Sequence, residues 1–340
     1  AFKSTISKAG HNGIMIKGAK SIEALNNADT FVFDKTGTLT AGELEVIEVE
    51  SFSKEWSEEE LLNLTASTEE HYFHPVAEAV VKAAKQRGFV HMHHEEVEFI
   101  VAHGVKTEVN GKLVVIGSRH FLEDDEKIDF SEHLEKIEKS IKEGKTLLYI
   151  GYDGKLLGTI TLADEVRSNA KEAISRLKKL GVKNIIMLTG DTKQKAKMIA
   201  DELGIDEIRA ELLPQDKAKI VKELRIQGKK VAFIGDGIND APALISAQVG
   251  ISMSRGADIA KATADISLLK DDIMAVVEVK EYANKTMNLI NNNFNATVGI
   301  NSCILAGATF GVFSPIVTAV LHNGTTIGLL LNSIKGVRIR

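Results

Sequence analysis

Short apolar runs alternate with amphipathic helical patterns along much of this chain, and this alternation constrains its fold more than any other feature. Each apolar run ends in polar or glycine residues. The predicted strands span 30–33, 184–188, 231–234, 249–252 and 266–269, and the predicted helices between them span 168–180, 193–203 and 215–227. Strands that alternate with helices predict an α/β fold with a doubly wound parallel sheet, whose ligands bind at the carboxyl ends of the strands.

Residues 43–161 interrupt this alternation after the first predicted strand. Most of the ten histidines of the chain lie in this segment. Its predicted helices span 57–67, 74–87 and 131–143, and its predicted strands include 97–101, 106–109 and 112–116. This mixture of helical and strand periods predicts an inserted α+β domain.

Asp34 ends the first predicted strand and opens the sequence D-K-T-G-T-L-T. An aspartate that leaves a strand into a turn rich in Gly and Thr presents its carboxylate to a ligand, and the backbone of the turn can approach phosphate oxygens. A carboxylate can also be a covalent nucleophile towards phosphorus. Further polar residues follow later predicted strands or open a later predicted helix: Thr189, Gly190, Asp191, Lys217, Asp236 and Asp240. Together these residues predict a magnesium–phosphate site at one edge of the sheet.

The order of these motifs along the chain resembles that of the P-type ATPases, a family within the haloacid-dehalogenase-like superfamily. The motifs are D-K-T-G-T-L-T at 34–40, T-G-D at 189–191, Pro214 with Lys217, and G-D-G-I-N-D at 235–240. The resemblance covers essentially the whole chain. It implies a haloacid-dehalogenase-like fold and ATP-driven ion transport through an aspartyl-phosphate intermediate.

The same resemblance implies a role for each motif residue. Asp34 would be the phosphorylated aspartate, and with the Thr36 carbonyl and Asp236 it would hold Mg²⁺. Thr189 and Lys217 would steady the phosphoryl group. The remaining catalytic residues implied by the motifs are Lys35, Gly190, Asp191 and Asp240, of which the last would brace its loop.

The inserted segment indicates a branch of the family. His74-Pro75, preceded by the acidic Glu69, resembles the histidine–proline element of the heavy-metal-transporting, class IB pumps. The nucleotide domain of those pumps holds the adenine of ATP, so the resemblance implies an ATP site. The residues that it assigns to this site are Glu69, His74, Pro75, Gly104 and Gly117. The departures from the family pattern are Tyr72-Phe73 in place of Ser-Glu, and Ala102 in place of the first glycine of Gly-x-Gly.

The C-terminal part of the chain has a long stretch without charge. No Asp, Glu, Lys or Arg occurs between Lys285 and Lys335. Within it, 296–313 and 316–334 are each about long enough to cross ~30 Å of hydrocarbon as a helix. Ser314-Pro315 between them predicts a tight turn. We therefore expect a C-terminal transmembrane helical hairpin in contact with membrane lipid.

Basic residues flank this stretch on both sides. Lys285 precedes it, and Lys335, Arg338 and Arg340 follow it. This arrangement would place both ends of the hairpin, and the catalytic domains, on the cytoplasmic side of a cell membrane in a multi-pass protein. The alternative is a buried helical pair in a large soluble core.

Polar residues inside the hairpin indicate more than a passive anchor, because such residues in a membrane face other helices or a pathway. H-N-G-T-T at 322–326 is nearer to the His-Glu-Gly-Gly-Thr element of a cobalt or divalent branch than to the copper element. The resemblance therefore favours a divalent transition-metal cation as cargo. Its candidate ligands are Asn301, Cys303, His322 and Thr325.

We expect the chain to be the C-terminal half of a pump, because it contains no Thr-Gly-Glu element of an actuator domain. Its partner would be the missing N-terminal half. The predicted domains are 1–25, a cytoplasmic extension of a preceding membrane helix; 26–42 with 162–285, a phosphorylation domain; 43–161, a nucleotide-binding domain; and 286–340, the hairpin.

Charge and cysteine content exclude other classes. A formal net charge of −5 does not favour nucleic acid as a partner, and the single cysteine excludes a disulfide framework. Two alternatives stay open: a soluble haloacid-dehalogenase-type phosphatase, in which Thr36 would occupy the place of the usual general acid, and a non-catalytic remnant of a pump. His91, His93 and His94 could ligate a metal, although a solvated loop is the simpler interpretation.

Overall fold

The computed structural model of the chain describes residues 1–71, 74–100, 103–142, 145–236, 240–254 and 258–336. It divides into two compact units: unit 1 consists of Ala1–Leu39 with Arg167–Arg340, and unit 2 consists of Thr40–Val166. Unit 2 is thus one continuous segment between two parts of unit 1. The residues of the predicted motifs that lie outside the described residues are Tyr72, Phe73, Ala102, 237–239, Arg338 and Arg340.

The helices are α1 (Phe2–His11), α2 (Ala19–Asn27), α3 (Glu58–Glu69), α4 (Pro75–Gln86), α5 (Leu134–Lys142), α6 (Ala170–Lys179), α7 (Lys193–Leu203), α8 (Pro214–Ile226), α9 (Ala241–Ser246), α10 (Asp258–Thr263), α11 (Met274–Thr309) and α12 (Pro315–Lys335). The strands are β1 (Ile14–Ile16), β2 (Thr30–Asp34), β3 (Thr40–Ser51), β4 (Glu98–Ile100), β5 (Gly104–Val109), β6 (Lys112–Gly117), β7 (Thr146–Tyr152), β8 (Lys155–Val166), β9 (Asn184–Leu188), β10 (Glu207–Arg209), β11 (Val231–Gly235), β12 (Val249–Ser252) and β13 (Ile266–Leu268).

Unit 1 contains a seven-stranded sheet in the order β1-β13-β12-β11-β2-β9-β10. From β13 to β10, all neighbouring strands are parallel. β2 lies between β11 and β9, and all of its residues are buried, as expected for a central strand with both faces covered. The loops that follow β2, β9 and β11 therefore leave the sheet at the same edge.

The first strand of this sheet was not predicted. β1 pairs antiparallel with β13, so the sheet is mixed, and the prediction of a purely parallel sheet is corrected at this edge. Ile14 and Ile16 are buried and Met15 is half exposed, which is the alternation of a strand with one covered face. α1, the edge strand β1 and the start of α2 occupy residues 1–25, and the interpretation of this segment as a cytoplasmic extension of a preceding membrane helix stays a prediction.

The other predicted elements of unit 1 are present. Strands 184–188 and 249–252 and helix 193–203 are confirmed at both ends, and the remaining bounds differ by a residue or two. β10 was missed because it is very short and not fully buried. A three-residue strand gives too little periodicity to identify from sequence.

α11 and α12 form the predicted helical hairpin. The side chains of Asn293 and Ser333 join them through a hydrogen bond of 2.8 Å, and Ser314 caps the start of α12 by accepting a bond from the Val317 amide. Among the described residues, no helix has a stretch that is both long and apolar enough to cross a membrane. The polar pair His322 and Asn323 interrupts the apolar sequence of α12. The membrane placement of the hairpin stays a prediction.

A buried lysine attaches α11 to the segment that leads into β2. The Lys280 ammonium donates to the carbonyls of Leu25, Asn26 and Ala28 at 2.8, 2.8 and 3.1 Å, and only 2% of the residue is exposed. These carbonyls lie at the C-terminal end of α2, where a helix has unpaired acceptors and partial negative charge. Burial lowers the pKa of Lys280 to about 8.

Unit 2 is built on a six-stranded antiparallel sheet in the order β3-β8-β7-β6-β5-β4. Its faces bury different clusters, because successive residues of a strand point to opposite sides. Ile116 packs in a cluster with Leu61 and Val80, whereas Val115 packs in a cluster with Phe121. The unit begins and ends in one ladder, since Thr40 of β3 pairs with Val166 of β8. The unit is thus an α+β insertion, as the sequence predicted.

Candidate functional site

Asp34 is the last residue of β2 and lies at the edge of the unit 1 sheet where the strands end. The residue is 6% exposed. Lys217, in the first turn of α8, approaches it: the Lys217 ammonium lies 2.8 Å from Oδ1 of Asp34 and 2.7 Å from Oδ1 of Asp240. The second oxygen of Asp240 accepts a hydrogen bond from the Asp236 amide at 3.2 Å. The structure therefore brings together four of the predicted site residues, which come from the end of β2, the first turn of α8 and the segment after β11.

The carboxylates and the lysine of this cluster shift one another's pKa values. Burial raises the pKa of Asp34 to about 7, and the Asp240 carboxylate contributes in the same direction. Burial and the Asp240 carboxylate also raise the pKa of Asp236 to about 6. For Lys217, burial acts to lower the pKa, but the carboxylates of Asp34 and Asp240 outweigh it and raise the pKa. The site thus holds more negative charge than its single lysine compensates.

This donor set fits a magnesium ion. Asp34, Asp236 and Asp240 each offer a carboxylate oxygen, and these oxygens lie within 4.8 Å of one another. Carboxylate oxygens are the hard ligands that Mg²⁺ prefers, and a dication would relieve the repulsion that raises the pKa of Asp34 and Asp236. The donor chemistry of these residues therefore fits a Mg²⁺ ion.

A glycine allows the two key loops to meet. Gly37 has a φ of +70°, which disfavours other residues, and a Cβ built on it would overlap the carboxylate of Asp236. The turn after Asp34 and the loop after β11 therefore approach each other more closely than a side chain at position 37 would permit. The positive φ and the position of the Asp236 carboxylate therefore both favour glycine here.

The remaining predicted catalytic residues lie in the neighbouring loops. Lys35 forms an ion pair of 2.7 Å with Asp191, and this pair ties the loop after β2 to the loop after β9. Thr189 is buried and its hydroxyl accepts a hydrogen bond from the Asp191 amide at 3.1 Å. Gly190 is exposed beside it, and Thr36 is exposed in the turn after Asp34. Lys35 and Asp191 thus position loops, and the two exposed residues lie open to a ligand.

Arg167 is a site residue that the sequence reasoning missed. Its guanidinium donates to the carbonyls of Thr38 at 2.9 Å and Gly37 at 3.3 Å, and to the Asp271 carboxylate at 2.7 Å. It therefore joins the turn after Asp34 to the loop that precedes α11. The signal in the sequence is a basic residue at the return from the inserted segment, directly after a strand.

Unit 2 contains a cavity of about 250 Å³. Four of the five residues predicted to bind nucleotide line it, namely Glu69, His74, Gly104 and Gly117. Apolar side chains such as Leu148 and Leu162 form other parts of the wall. Burial raises the pKa of the Glu69 carboxyl to about 7, so it can donate or accept a hydrogen bond near neutral pH. An apolar cleft with a few polar groups is typical of a site for a planar ring.

Two pairs of residues shape this cavity. His74 caps α4, with Nδ1 accepting from the Val76 amide at 3.3 Å, and Pro75 occupies the first turn of that helix. Gly104 and Gly117 face each other in the β5–β6 ladder, and a Cβ on either would overlap backbone of the other strand. The glycine pair thus lets β5 and β6 approach each other closely, and no side chain projects into the cavity at these two positions.

The four predicted cargo ligands are only partly brought together. Asn301 and His322 meet across the hairpin, with 3.0 Å between Oδ1 and Nδ1. Cys303 lines an apolar groove with Phe313 and is exposed. The Thr325 hydroxyl donates to the carbonyl of Leu321 in its own helix at 2.8 Å.

The histidine cluster after α4 lies in a loop. His91 and His94 have ring centroids 5.4 Å apart, and Nε2 of His91 lies 3.8 Å from a carboxylate oxygen of Glu70. Within the described ranges, these histidines do not form a group of three ligands close enough to share an ion. The solvated-loop interpretation of this segment stays a prediction.

Comparisons with known proteins agree with this fold. Residues 28–248 match the haloacid dehalogenase-like hydrolases. The zinc-exporting P-type ATPase of Mycobacterium marinum is 38% identical over 100% of this chain and 47% of its own length. The manganese-exporting P-type ATPase of Mycobacterium bovis is 38% identical over 100% of this chain and 48% of its own. A crystal structure of a zinc-transporting PIB-type ATPase in the E2.Pi state superposes with a TM-score of 0.90 at 34% identity, over 99% of this chain and 54% of that one.

The chain belongs to the haloacid-dehalogenase-like hydrolases and, within them, to the P-type ATPases. The resemblance to the class IB branch is confirmed by the same matches. The chain spans about half the length of the relatives that it matches.

Proposed function

We propose that this chain is the ATP-driven phosphorylation half of a pump for transition-metal cations. The observation that carries the proposal is the environment of Asp34: a buried carboxylate at a strand end, in contact with Lys217 and within 4.8 Å of two further carboxylates. Burial of an unpaired carboxylate costs free energy. A cluster of three carboxylates therefore indicates a function that uses a cation and an anionic substrate.

The chemistry assigned to Asp34 is nucleophilic attack on the γ-phosphorus of ATP. One carboxylate oxygen forms the new bond to phosphorus, the bond to the ADP oxygen breaks, and ADP departs with the electron pair. Lys217 holds Oδ1 of Asp34 and supplies positive charge to the phosphoryl group, while Asp240 holds Lys217 in place. Mg²⁺ held by Asp34, Asp236 and the Thr36 carbonyl would neutralise charge on the phosphoryl oxygens.

The cavity of unit 2 is the proposed ATP site. Its volume of about 250 Å³ and its partly apolar wall suit an adenine ring. Glu69 and His74 are the polar groups that would bind the ring, and the bare glycine pair leaves room for the nucleotide to lie against the strands.

The cargo is proposed to be a divalent transition metal. The relatives named above export zinc or manganese, and the imidazole of His322 suits a metal of that type. Asn301, which contacts His322, and Cys303 and Thr325 are the other proposed ligands. One hairpin cannot enclose a pathway, so further helices from an N-terminal half would complete the site.

The hairpin is proposed to lie in a cell membrane, with the two catalytic units in the cytoplasm. Large apolar side chains on it are well exposed, including Phe294, Leu305, Phe310 and Val320 at 65%, 68%, 84% and 66%. Exposed apolar surface on this scale indicates lipid or partner helices.

The phosphoenzyme tests the proposal. With labelled ATP and Mg²⁺, the chain should form an acid-stable, hydroxylamine-labile phosphoenzyme, and Asp34→Asn should abolish it because an amide is a poor nucleophile. The matched control is Asp201→Asn, an exposed aspartate on α7, which should label as the wild-type chain does. Undiminished labelling of Asp34→Asn would refute the assignment, and rapid steady phosphate release by the chain alone would favour the phosphatase alternative.

A further inference from the structure

We infer that His103, His120 and Asp125 form a binding site for a divalent transition-metal cation on unit 2, beside the nucleotide cavity and separate from the proposed transport pathway. The three residues offer two imidazole nitrogens and one carboxylate oxygen, all within 4.8 Å of one another. His103 also lines the nucleotide cavity. The site itself rests on this geometry alone, and its coupling to nucleotide rests on the proposed ATP site.

The distances in this cluster are those of metal ligands rather than of hydrogen bonds. Oδ2 of Asp125 lies 3.8 Å from Nε2 of His103 and 3.7 Å from Nδ1 of His120. Both separations exceed a hydrogen bond. Ligand atoms that surround a tetrahedral zinc ion at about 2.0–2.1 Å lie about 3.3–3.5 Å apart, so small side-chain movements would close the set around an ion.

The backbone holds the ligands in position without a metal. His103 immediately precedes β5, and the Ser118 amide donates to its carbonyl at 3.1 Å. The Leu122 amide donates to the Ser118 carbonyl at 3.2 Å, which begins the helical turn Phe121–Asp125 that carries Asp125. The ring of His103 packs edge-on against Phe121 at 6.0 Å. The backbone that carries His103 and Asp125 is therefore fixed by a strand ladder and a helical turn, and binding would need to order side chains only.

The ligand types select the metal. Two imidazoles and one carboxylate are a donor set found in zinc sites that keep a fourth position open. All three residues are exposed, so water or a ligand group can take that position. Imidazole nitrogen suits zinc and its neighbours, whereas Mg²⁺ prefers an all-oxygen shell, so this site would not compete for the magnesium of the Asp34 cluster.

Metal at this site would tighten nucleotide binding. A dication places positive charge at the edge of the cavity that contains His103, and it fixes the orientation of that ring. An anionic nucleotide is then attracted more strongly. Since coupling is reciprocal, nucleotide would raise the affinity for metal by the same factor, expected to be about fivefold.

The site is tested on the purified full chain by titration with Zn²⁺ and, separately, with Co²⁺, whose visible absorption reports tetrahedral coordination. Asp125→Asn and His120→Asn should each lower the affinity for the first equivalent of metal by about tenfold or more. Mutation of a group that only supports a ligand already lowers metal affinity by about tenfold or more, and each of these variants loses a direct ligand. The control His93→Gln removes an exposed histidine of the loop after α4 and should leave that equivalent unchanged. Equal metal affinity in wild type and both triad variants would overturn the site.

Coupling is tested by titrating a non-hydrolysable ATP analogue with and without Zn²⁺. The wild-type chain should bind the analogue about fivefold more tightly with metal, and Asp125→Asn should show no such gain while binding normally without metal. Zn²⁺ can also bind the nucleotide itself. Asp125→Asn controls for this effect, because it removes the metal site on the protein and leaves metal bound to the nucleotide unchanged. No gain in the wild-type chain would overturn the coupling. A chain that binds zinc at the triad but no analogue at all would refute the proposed ATP site and leave the metal site confirmed.

Discussion

Replacing Gly37 by alanine tests whether the close approach of the two catalytic loops matters. The added Cβ would overlap the Asp236 carboxylate, in a backbone conformation with φ of +70°. Gly204, which ends α7, provides a matched control because its φ is +71° and a Cβ there meets nothing within 4 Å. The two substitutions therefore share backbone strain and differ in the clash.

Backbone strain and the clash with Asp236 should lower the free energy of unfolding by separate amounts. A left-handed conformation costs a non-glycine residue about 1–2 kcal/mol, so Gly204→Ala should lower the free energy of unfolding by roughly that amount. Gly37→Ala should add about 1–3 kcal/mol for the forced displacement of Asp236. A displacement of about 1 Å at a reacting centre can reduce the rate by about 10²-fold, so phosphoenzyme formation should fall on that scale in Gly37→Ala and remain normal in Gly204→Ala.

The assay combines denaturant unfolding with the initial rate of labelling from ATP and Mg²⁺ in both variants. A calorimetric Mg²⁺ titration adds an independent readout, because a displaced Asp236 should weaken the metal site. If Gly37→Ala labels as fast as Gly204→Ala and loses no more stability, the close approach of Gly37 to Asp236 has no functional meaning and the reasoning fails.

Four further predictions concern other parts of the chain. Lys280 should contribute a gain of roughly 3 kcal/mol to the free energy of unfolding as pH rises from about 8 to 10.5, because its pKa is lowered in the folded state and the unfolded state binds the proton more tightly. This contribution is the difference between the pH dependences of the wild-type chain and Lys280→Met in denaturant unfolding, and parallel pH dependences would contradict it. Calorimetric Mg²⁺ affinity should weaken as pH falls through about 7 and about 6, the raised pKa values of Asp34 and Asp236, because protons compete with the metal. His74→Gln should weaken ATP binding by roughly 1–2 kcal/mol. His74→Asn keeps a cap for α4, so it should weaken ATP binding as much without lowering the free energy of unfolding. If calorimetry finds the same ATP affinity in the wild-type chain and both variants, the assignment of His74 to the ATP site is contradicted. In sealed vesicles Cys303 should react slowly with a membrane-impermeant maleimide. The control is a Cys303→Ser chain with a cysteine in place of the exposed Lys54, and that cysteine should react fast. Equal reaction rates of the two cysteines would argue against a membrane-embedded hairpin.

The chemistry of the Asp34 cluster could be predicted because it depends on local sequence. A central strand that ends in aspartate fixes where the carboxylate emerges, and the parallel order brings the later loops to the same edge. Lys217 lies in the first turn of α8, and its ammonium contacts Asp34 at 2.8 Å. Asp34, Lys217, Asp236 and Asp240 thus lie in one cluster, and their catalytic roles stay predictions.

Contacts between distant segments could not be predicted. Arg167 acts through carbonyls of the turn after Asp34, and backbone carbonyls carry no sequence signal. β1 has three residues, too few to show a period, and its pairing partner lies at the far end of the unit. His103 precedes β5, whereas His120 and Asp125 follow β6, and the approach of these three side chains leaves no periodic pattern in the sequence.

The first and last residues of unit 2 are paired with each other, and this pairing affects how the chain folds. Thr40 and Val166 are partners in one ladder, and the Arg167 amide donates to the Leu39 carbonyl at 2.9 Å. Formation of the β3–β8 ladder therefore brings both ends of the interruption together, which removes most of the loop-closure entropy that pairing β2 with β9 would otherwise require. Nucleation of the antiparallel sheet should thus accelerate assembly of the parallel one, and slow-folding variants should cluster at the β3–β8 junction.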